Sequence, residues 1–327
     1  MLRIVELKAI LVQKDGTLVF DEVDVPQIGK EDVLVRVEAC GLNRADLMQK
    51  KGLYPAPNGI RNDILGLEFA GRIVDCGVLV SSKWNIGDAV MGIVSGCAYA
   101  QFLVIDHRLL MSVPKQMSME EAVCIPEVFL TAYDAIIMQM NLSRGDRLLV
   151  HAIGSGVGDA AYQLATTWGI SIIGTTRTSW KLEPYMKLYQ GIVISDGEFI
   201  SKLHTKVDAV LDFVGGAYLK QNIQALSPKG QLLILGLLGG AQAQIPLGLL
   251  LVKRVKVFGS TLRSRPIEEK ILLIESFVKR VLPDFENGLL SPTLDRMFSW
   301  EDVDEAHRYM EENLNRGKVV LRVTNVE

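Results

Sequence analysis

The chain has no long hydrophobic run, no cysteine pair at metal spacing and no excess of positive charge. Its most apolar stretch, Gln231 to Leu251, is broken by glycines, Gln242, Gln244 and Pro246. It falls short of the roughly 18 unbroken apolar residues that a membrane span needs. Arg3, Glu6 and Lys8 interrupt any apolar core of a secretory leader. A cytoplasmic protein without membrane contact is therefore expected. The four cysteines, Cys40, Cys76, Cys97 and Cys124, form no CxxC, which speaks against a disulfide framework or a zinc knuckle. Reduced thiols in the cytosol are the plain expectation. Thirty-five Lys and Arg face 38 Asp and Glu, a net charge of -3, so no nucleic-acid footprint is present. The histidines His107, His151, His204 and His307 lack metal spacing, and no GxSxG elbow points to a hydrolase. His151 reads as a structural residue at a strand end.

With 327 residues and 49% hydrophobic content, the chain is long enough for about two globular domains. The first third reads as β-rich: short alternating runs at Leu7 to Gln13, Thr17 to Val23, Asp32 to Glu38, Ala70 to Asp75, Ala89 to Val94 and Tyr99 to Ile105. Helical spacing follows at Met119 to Cys124 and Val128 to Met138. The middle alternates strand and helix. Strands are expected at Arg147 to His151, Ile170 to Thr175, Ile192 to Ser195, Ala209 to Phe213, Gln231 to Leu235 and Lys256 to Ser260. Helices are expected at Val157 to Trp168 and Lys181 to Leu188. The strands are nearly continuous apolar runs, as in a parallel sheet buried on both faces. Six of them match a doubly wound dinucleotide-binding sheet. Beyond lie a helix at Ile267 to Val281, a capping pattern at Ser299 and Asp302, a helix at Val303 to Glu312 and a strand at Lys318 to Val323.

The strongest chemical signal is the turn His151-Ala152-Ile153-Gly154-Ser155-Gly156-Val157-Gly158 between a strand and a helix. Small residues let the backbone approach a pyrophosphate, and the helix N-terminus supplies N–H donors. A strict GxGxxG would place glycine at 153 and 155, where Ile153 and Ser155 stand, so the motif alone is a weak match. At the end of the second strand, NAD sites place an acid for the ribose hydroxyls. Here Thr175, Thr176 and Arg177 stand instead, with Lys181 close by. Cations there would hold a 2′-phosphate, favouring NADPH; the alternative is that Arg177 and Lys181 are solvated charges at a helix start.

The chain resembles the zinc-independent medium-chain dehydrogenases/reductases of the quinone oxidoreductase (zeta-crystallin-like) group, nearest to the tumour-suppressor-induced branch. The likeness rests on Cys40 to Gln49, Ile64 to Gly71, Ile86 to Gly92, His151 to Ala161, Thr261 to Arg265 and Glu305 to Met310, in that order along the chain. It implies a Rossmann doubly wound parallel sheet inserted in a GroES-like β-rich catalytic domain. On that basis 1–124 would begin the catalytic domain, 125–286 would bind NADPH, and 287–327 would return to complete the first domain. The resemblance further implies a cleft between domains and a homodimer, with the edge strand near Val255 to Leu262 as the candidate interface.

Zinc-dependent relatives have a cysteine and a histidine where this chain has Asn43 and Leu67, and Glu68 alone cannot replace three ligands. Without a metal, the acceptor must already be electrophilic. A quinone or an activated alkene suits direct hydride transfer, with orientation and exclusion of water left to the protein. By resemblance, Asn43 and Tyr54 line the acceptor site, and Tyr54 donates a hydrogen bond to the developing quinol oxygen. The plain alternatives are a turn residue and a loop packing residue. Thr131, Ser155, Gly156, Val157, Gly236, Leu237, Leu238, Leu262, Arg263 and Lys318 are implied cofactor neighbours, together with Asn43, Thr176, Arg177 and Lys181. Asp196 stands where the branch tends to have a tyrosine near the 2′-phosphate, which weighs against NADPH. The expected activity is an NADPH-dependent quinone oxidoreductase. The alternatives are an alkenal or enoyl reductase on the same scaffold, or an NADPH-binding protein with little turnover.

Overall fold

The computed structural model describes residues 6–80 and 82–323. They form two compact units: Met1–Leu130 with Arg263–Glu327, and Thr131–Leu262.

The first unit starts with an antiparallel hairpin, β1 (Glu6–Val12) and β2 (Leu18–Asp24). Gly16 sits at φ 85° in its turn, a conformation that glycine adopts without steric cost. Then come β3 (Asp32–Gly41), α1 (Arg44–Lys50), β4 (Glu68–Cys76), β5 (Ala89–Ile93), β6 (Phe102–Asp106) and β7 (Leu110–Ser112). The long strand β3 is mostly buried and pairs with both β4 and β6. Helix α2 (Met119–Ala122) opens on a capping box in which Ser118 and Glu121 satisfy each other's backbone N–H. Helix α3 (Pro126–Tyr133) begins at a proline, where the missing N–H costs nothing. From Thr131 on, α3 belongs to the second unit, where it continues as a π-helical turn at Asp134–Gln139.

The second unit is a six-stranded sheet of β8 (Arg147–Val150), β9 (Ser171–Thr176), β10 (Gln190–Val193), β11 (Val207–Asp212), β12 (Leu226–Ile234) and β13 (Lys256–Gly259). All pairs are parallel, in the order β10-β9-β8-β11-β12-β13, the strand order of a doubly wound dinucleotide fold. Its helices are α4 (Gly156–Thr167), α5 (Leu219–Ala225) and α6 (Leu247–Lys253). Leu149, Ile173, Ile192, Val210, Ile223 and Leu232 are among the side chains of one buried cluster of this unit.

The return segment carries α7 (Ile267–Arg280), α8 (Leu282–Glu286), β14 (Leu294–Ser299), α9 (Val303–Glu311) and β15 (Lys318–Arg322). β15 pairs antiparallel with β3, so the sheet of the first unit runs β14-β15-β3-β4-β5-β7, with β6 also on β3.

The structure differs from the sequence expectation in places. The second unit ends at Leu262, not at residue 286, and residues 125–130 lie in the first. Helix α7 buries Ile271, Leu273, Ile274 and Phe277 and packs on β7, which is why it belongs to the first unit. The expected helix at Lys181 to Leu188 is only a 3₁₀ turn at Ser179–Leu182, because Pro184 has no N–H to donate to a continuing helix and its ring crowds the preceding turn. Ser299 does not cap α9: its hydroxyl bonds Glu301, and a 3₁₀ turn at Trp300–Asp302 intervenes. The sequence expectation contains no counterpart to helices α1, α5, α6 and α8 or to strands β7 and β14.

Candidate functional site

The expected site residues fall into two sets, one in each unit. In the second unit, the turn after β8 runs through Ala152 at φ 47° and into α4. Ser155 is the N-cap of α4, its hydroxyl accepting from Gly158 N at 3.1 Å. The N–H groups of Gly156 and Val157, at the start of α4, lack intrahelical acceptors. A Cβ on Gly158 would meet the carbonyl oxygens of Ala152 and Ile153 at 2.5 and 2.7 Å, so only glycine fits there. Ile153 is buried, and Gly154 lies under the Lys181 side chain. Small residues, two free donors and a helix N-terminus together suit a pyrophosphate.

His151 supports this turn from behind. Its Nδ1 lies 2.9 Å from Thr175 Oγ1 and its Nε2 2.7 Å from Asn222 Oδ1. Asn222 Nδ2 donates to Asp212 Oδ2 at 3.0 Å, and Asp212 accepts from Val214 N and Gly215 N. Because Asn222 Oδ1 can only accept, Nε2 carries the proton and Nδ1 accepts from the threonine. Burial holds the imidazole below its ordinary pKa against the pull of Asp212. The network ties β8, β9, β11 and α5 together.

At the end of β9, Thr176 is buried and Arg177 exposed. Among the described residues Arg177 has no ion-pair partner. Lys181 is 8% exposed, with its ammonium 5.3 Å from the centre of the Trp180 ring. The worrying acid, Asp196, is tied up: Lys202 Nζ is 3.3 Å away, and Glu198 N donates to the same carboxylate. Both contacts hold its pKa down. Beyond β12, Leu237 and Leu238 are 55% and 64% exposed on a turn anchored by Leu238 N donating to Phe213 O. Thr131 is half-buried on α3, and Leu262 is buried at the unit's last residue.

The first unit holds Asn43, Tyr54, Arg263 and Lys318. Asn43 is the N-cap of α1, and its N–H donates to Asp46 Oδ2 at 2.7 Å. Its side chain is pinned at both ends: Nδ2 donates to Glu68 Oε1 at 2.8 Å, and Oδ1 accepts from Lys318 Nζ at 2.9 Å. That pairing fixes which end of the amide is oxygen, since an ammonium only donates and a carboxylate only accepts. Lys318 and Glu68 form a buried ion pair, 4% and 0% exposed, and Lys318 also donates to Leu42 O at 2.7 Å. Three donors meet three acceptors, so the ammonium organises Asn43 and Glu68 and is not free for a cofactor. Glu68 Oε2 accepts from Glu127 N at 2.9 Å.

Two further carboxyls complete the cluster. Burial raises the Asp46 pKa to about 6, against its bonds from Asn43 and Gly66. Burial and the nearby Glu68 charge raise Glu127 to about 8. Neither was named from the sequence. The Asn43-x-x-Asp46 spacing is a capping pattern and was a legible signal for Asp46. Glu127 and its neighbour Lys270 come from distant elements and had no local signature. Tyr54 is half-buried, and burial raises its pKa while Arg263 opposes the rise.

Zinc does not fit this donor set. Asn43 and Leu67 replace two ligands, and Glu68 is spent on Lys318, Asn43 and Glu127 N. Burial raises the Cys40 and Cys124 thiols well above their ordinary pKa. Among the described residues no three His, Cys, Asp or Glu side chains come together as metal ligands.

Residues 29–132 match the alcohol dehydrogenase GroES-like domain, and 193–321 match the zinc-binding dehydrogenase domain. Quinone oxidoreductase-like protein 2 of Bos taurus is 26% identical over 321 residues, covering 96% of this chain and 91% of the relative. The quinone oxidoreductase from Coxiella burnetii superposes with a TM-score of 0.78 at 26% identity, over 98% of this chain and 100% of the other. The chain belongs to the zinc-independent, quinone-oxidoreductase-like medium-chain dehydrogenases/reductases. The CurK enoyl reductase is similar too, with a TM-score of 0.85 at 26% identity over 97% of this chain and 99% of the other. Medium-chain dehydrogenases/reductases are oxidoreductases that bind nicotinamide cofactors. Among the described residues no helix is long and apolar enough to cross a membrane.

Proposed function

We propose that the protein is an NADPH-dependent reductase of quinones that works without a metal. The observation that carries the reaction class is the Asn43–Glu68–Lys318 cluster: hydrogen bonds and an ion pair occupy the donor groups that a zinc ion would need. A carbonyl left unpolarised by metal is a poor hydride acceptor, whereas a quinone is already electrophilic. The nicotinamide, when bound, supplies the hydride. Tyr54 hydrogen-bonds the acceptor oxygen through its hydroxyl, and a proton completes the quinol. Asn43, immobilised by Glu68 and Lys318, gives the acceptor a rigid polar wall, so little reorganisation accompanies charge development. The choice of NADPH over NADH is supported by Arg177 at the end of β9 and by the neutralisation of Asp196 by Lys202. The similarity to CurK favours a second reading, an enoyl or alkenal reductase on the same site.

The test is NADPH and NADH oxidation by the purified protein with ortho-quinones, para-quinones and 2-alkenals offered separately. Quinone turnover that falls in Tyr54→Phe supports the first reading. Turnover on alkenals alone supports the second. Tight NADPH binding without turnover on any acceptor refutes both and leaves a binding protein.

Two further elements belong to this proposal. The protein is a homodimer: β13 is the last strand of its sheet, and Leu247, Leu251 and Val252 on neighbouring α6 are 66%, 77% and 81% exposed. An open edge beside an apolar surface favours a second copy, and sedimentation of Leu251→Glu against the unaltered chain tests it. The protein resides in the cytoplasm, which its four free cysteines support; fractionation of the source cells tests this.

A further inference from the structure

Arg263 is the first residue of the return into the first unit, and it is 6% exposed. One side of it is fixed by a closed knot of hydrogen bonds. Its Nε donates to Ser95 O at 2.8 Å, and the Ser95 hydroxyl donates back to Arg263 O at 2.9 Å. Lys270 Nζ donates to Arg263 O at 2.7 Å and to Ser95 Oγ at 2.8 Å.

The other side grips the segment that carries Tyr54. Nη1 donates to Tyr54 O at 3.2 Å, and Nη2 donates to Gln49 Oε1 at 2.6 Å. The guanidinium carbon lies 5.1 Å from the centre of the Tyr54 ring. Gln49 in turn donates to Asn62 O at 2.9 Å, and Asn62 Oδ1 accepts from Ala56 N at 2.8 Å. Residues 52–62 are a loop without helix or strand, and most of them are exposed. These bonds add to those of its own backbone, among them Gly52 N to Gln49 O and Leu53 N to Met48 O, both 2.8 Å.

Among the described residues neither Arg263 nor Lys270 has a carboxylate within ion-pair distance. Burying a guanidinium without a counter-charge is costly. Here every bonded acceptor is neutral, two of the contacts fall on Tyr54, and a third reaches the same loop through Gln49. That arrangement uses the planar fork of arginine, which lysine cannot reproduce.

We propose that Arg263 is the positioning residue of the acceptor site, holding Tyr54 by its backbone and its ring in the orientation that turnover requires. The family resemblance implied a cofactor contact for it. This inference rests on the reductase reading for its catalytic consequence, but not for the hold on the loop. The guanidinium also favours the ionised phenol, opposing the burial that raises its pKa.

The experiment compares the full chain with Arg263→Lys, which keeps the charge and loses the fork, and Arg263→Gln, which loses both. Amide hydrogen exchange is read first, at Leu53 and Ala56, whose N–H groups donate to Met48 O and Asn62 Oδ1. Both variants are expected to exchange at least about tenfold faster there, with the strands β3 and β4 unchanged. Turnover is read next: kcat falls about tenfold or more in both, KM for NADPH stays the same, and adding Arg263→Lys to Tyr54→Phe lowers kcat no further. In Arg263→Gln the loss of activity at alkaline pH moves upward, because the phenol has lost its cationic neighbour. Unchanged exchange at 52–62 overturns the hold on the loop. Faster exchange with full turnover overturns the positioning role. Should Arg263→Gln fail to fold, Arg263→Lys and Gln49→Ala, which removes one anchor only, decide the same point. A chain that reduces no acceptor refutes the reductase reading, and the exchange experiment still decides whether Arg263 orders the loop.

Discussion

Lys318→Met breaks the ion pair on which the first unit's polar cluster is built. Methionine replaces most of the lysine stem, so little cavity forms and the loss is electrostatic. Glu68, 0% exposed, keeps its bonds from Asn43 Nδ2 and Glu127 N but loses the one counter-ion it has among the described residues. Removing one partner of a buried pair costs about 3–5 kcal/mol. The Leu42 carbonyl also loses a donor, worth about 1 kcal/mol. A total of about 4–6 kcal/mol is a large share of the roughly 5–15 kcal/mol that a domain has. With an m-value of about 2 kcal/mol per molar urea, the midpoint falls by about 2–3 M. The assay needs a probe of the first unit alone. Trp84 and Trp300 lie there and are buried, whereas Trp168 and Trp180 lie in the second unit. A Trp168→Phe, Trp180→Phe background therefore reports the first unit by fluorescence. Glu68→Gln should cost a similar amount by stranding the ammonium. The double variant should be less destabilised than the sum of the singles by about 2 kcal/mol. A loss below about 1 kcal/mol in Lys318→Met, or strict additivity, refutes the reasoning, because it would mean that water screens the pair as it does a surface bridge.

Ser155→Ala removes the cap of α4 and should cost the second unit about 1 kcal/mol, read from the urea midpoint of Trp168 and Trp180 fluorescence; no change would mean that the hydroxyl does not cap. Arg177→Ala should weaken NADPH binding by about 10–100-fold, the worth of one or two charge-assisted hydrogen bonds. Its NADH affinity should stay the same in fluorescence titration, and an equal loss for both cofactors would remove Arg177 from the 2′-phosphate. The pH dependence of the first unit contains groups of opposite sign, His307 on one side and the buried carboxyls Asp46 and Glu127 on the other. Burial lowers His307 to about 4, so the unfolded chain takes the proton first and stability is lost as pH falls from about 6.5 to about 4. Burial raises Asp46 to about 6, so the folded chain takes the proton first and stability is gained as pH falls from about 6 towards 4. The two offset each other, and Asp46→Asn should show a steeper fall of the urea midpoint between pH 6 and pH 4; a slope equal to that of the unaltered chain would contradict this.

What could be read from the sequence is what lies close in the sequence. The six parallel strands announced themselves as apolar runs, and the turn from His151 to Gly158 did so by small residues between a strand and a helix. Even the misfit at Ser155 has a local account, since a serine there caps the helix that glycine would only have entered. Arg177 was placed by counting from that turn to the end of the next strand. Errors arose where a local pattern competed with a breaker or with tertiary packing. Pro184 ended a helix that its apolar spacing suggested, and α7 joined the first unit because its apolar face fits there, which no spacing encodes.

The acceptor side is of another kind. Asn43, Glu68 and Lys318 are drawn from α1, β4 and β15, and sequence separations of 25 to 275 residues leave no periodic trace. A resemblance supplied Asn43, but not that its amide is locked, because locking depends on a lysine at the far end of the chain. The same holds for Arg263. Its role is set by Ser95, Tyr54 and Gln49, each more than 160 residues away. A single sequence gives the residue type and the likeness of its neighbours, from which a cofactor contact was a fair expectation. Only the fold shows that the guanidinium faces a neutral, buried knot and the loop bearing Tyr54. In this chain the groups proposed to bind phosphate are local and therefore legible. The groups proposed to orient the acceptor are assembled from distant segments, so their roles are argued from geometry.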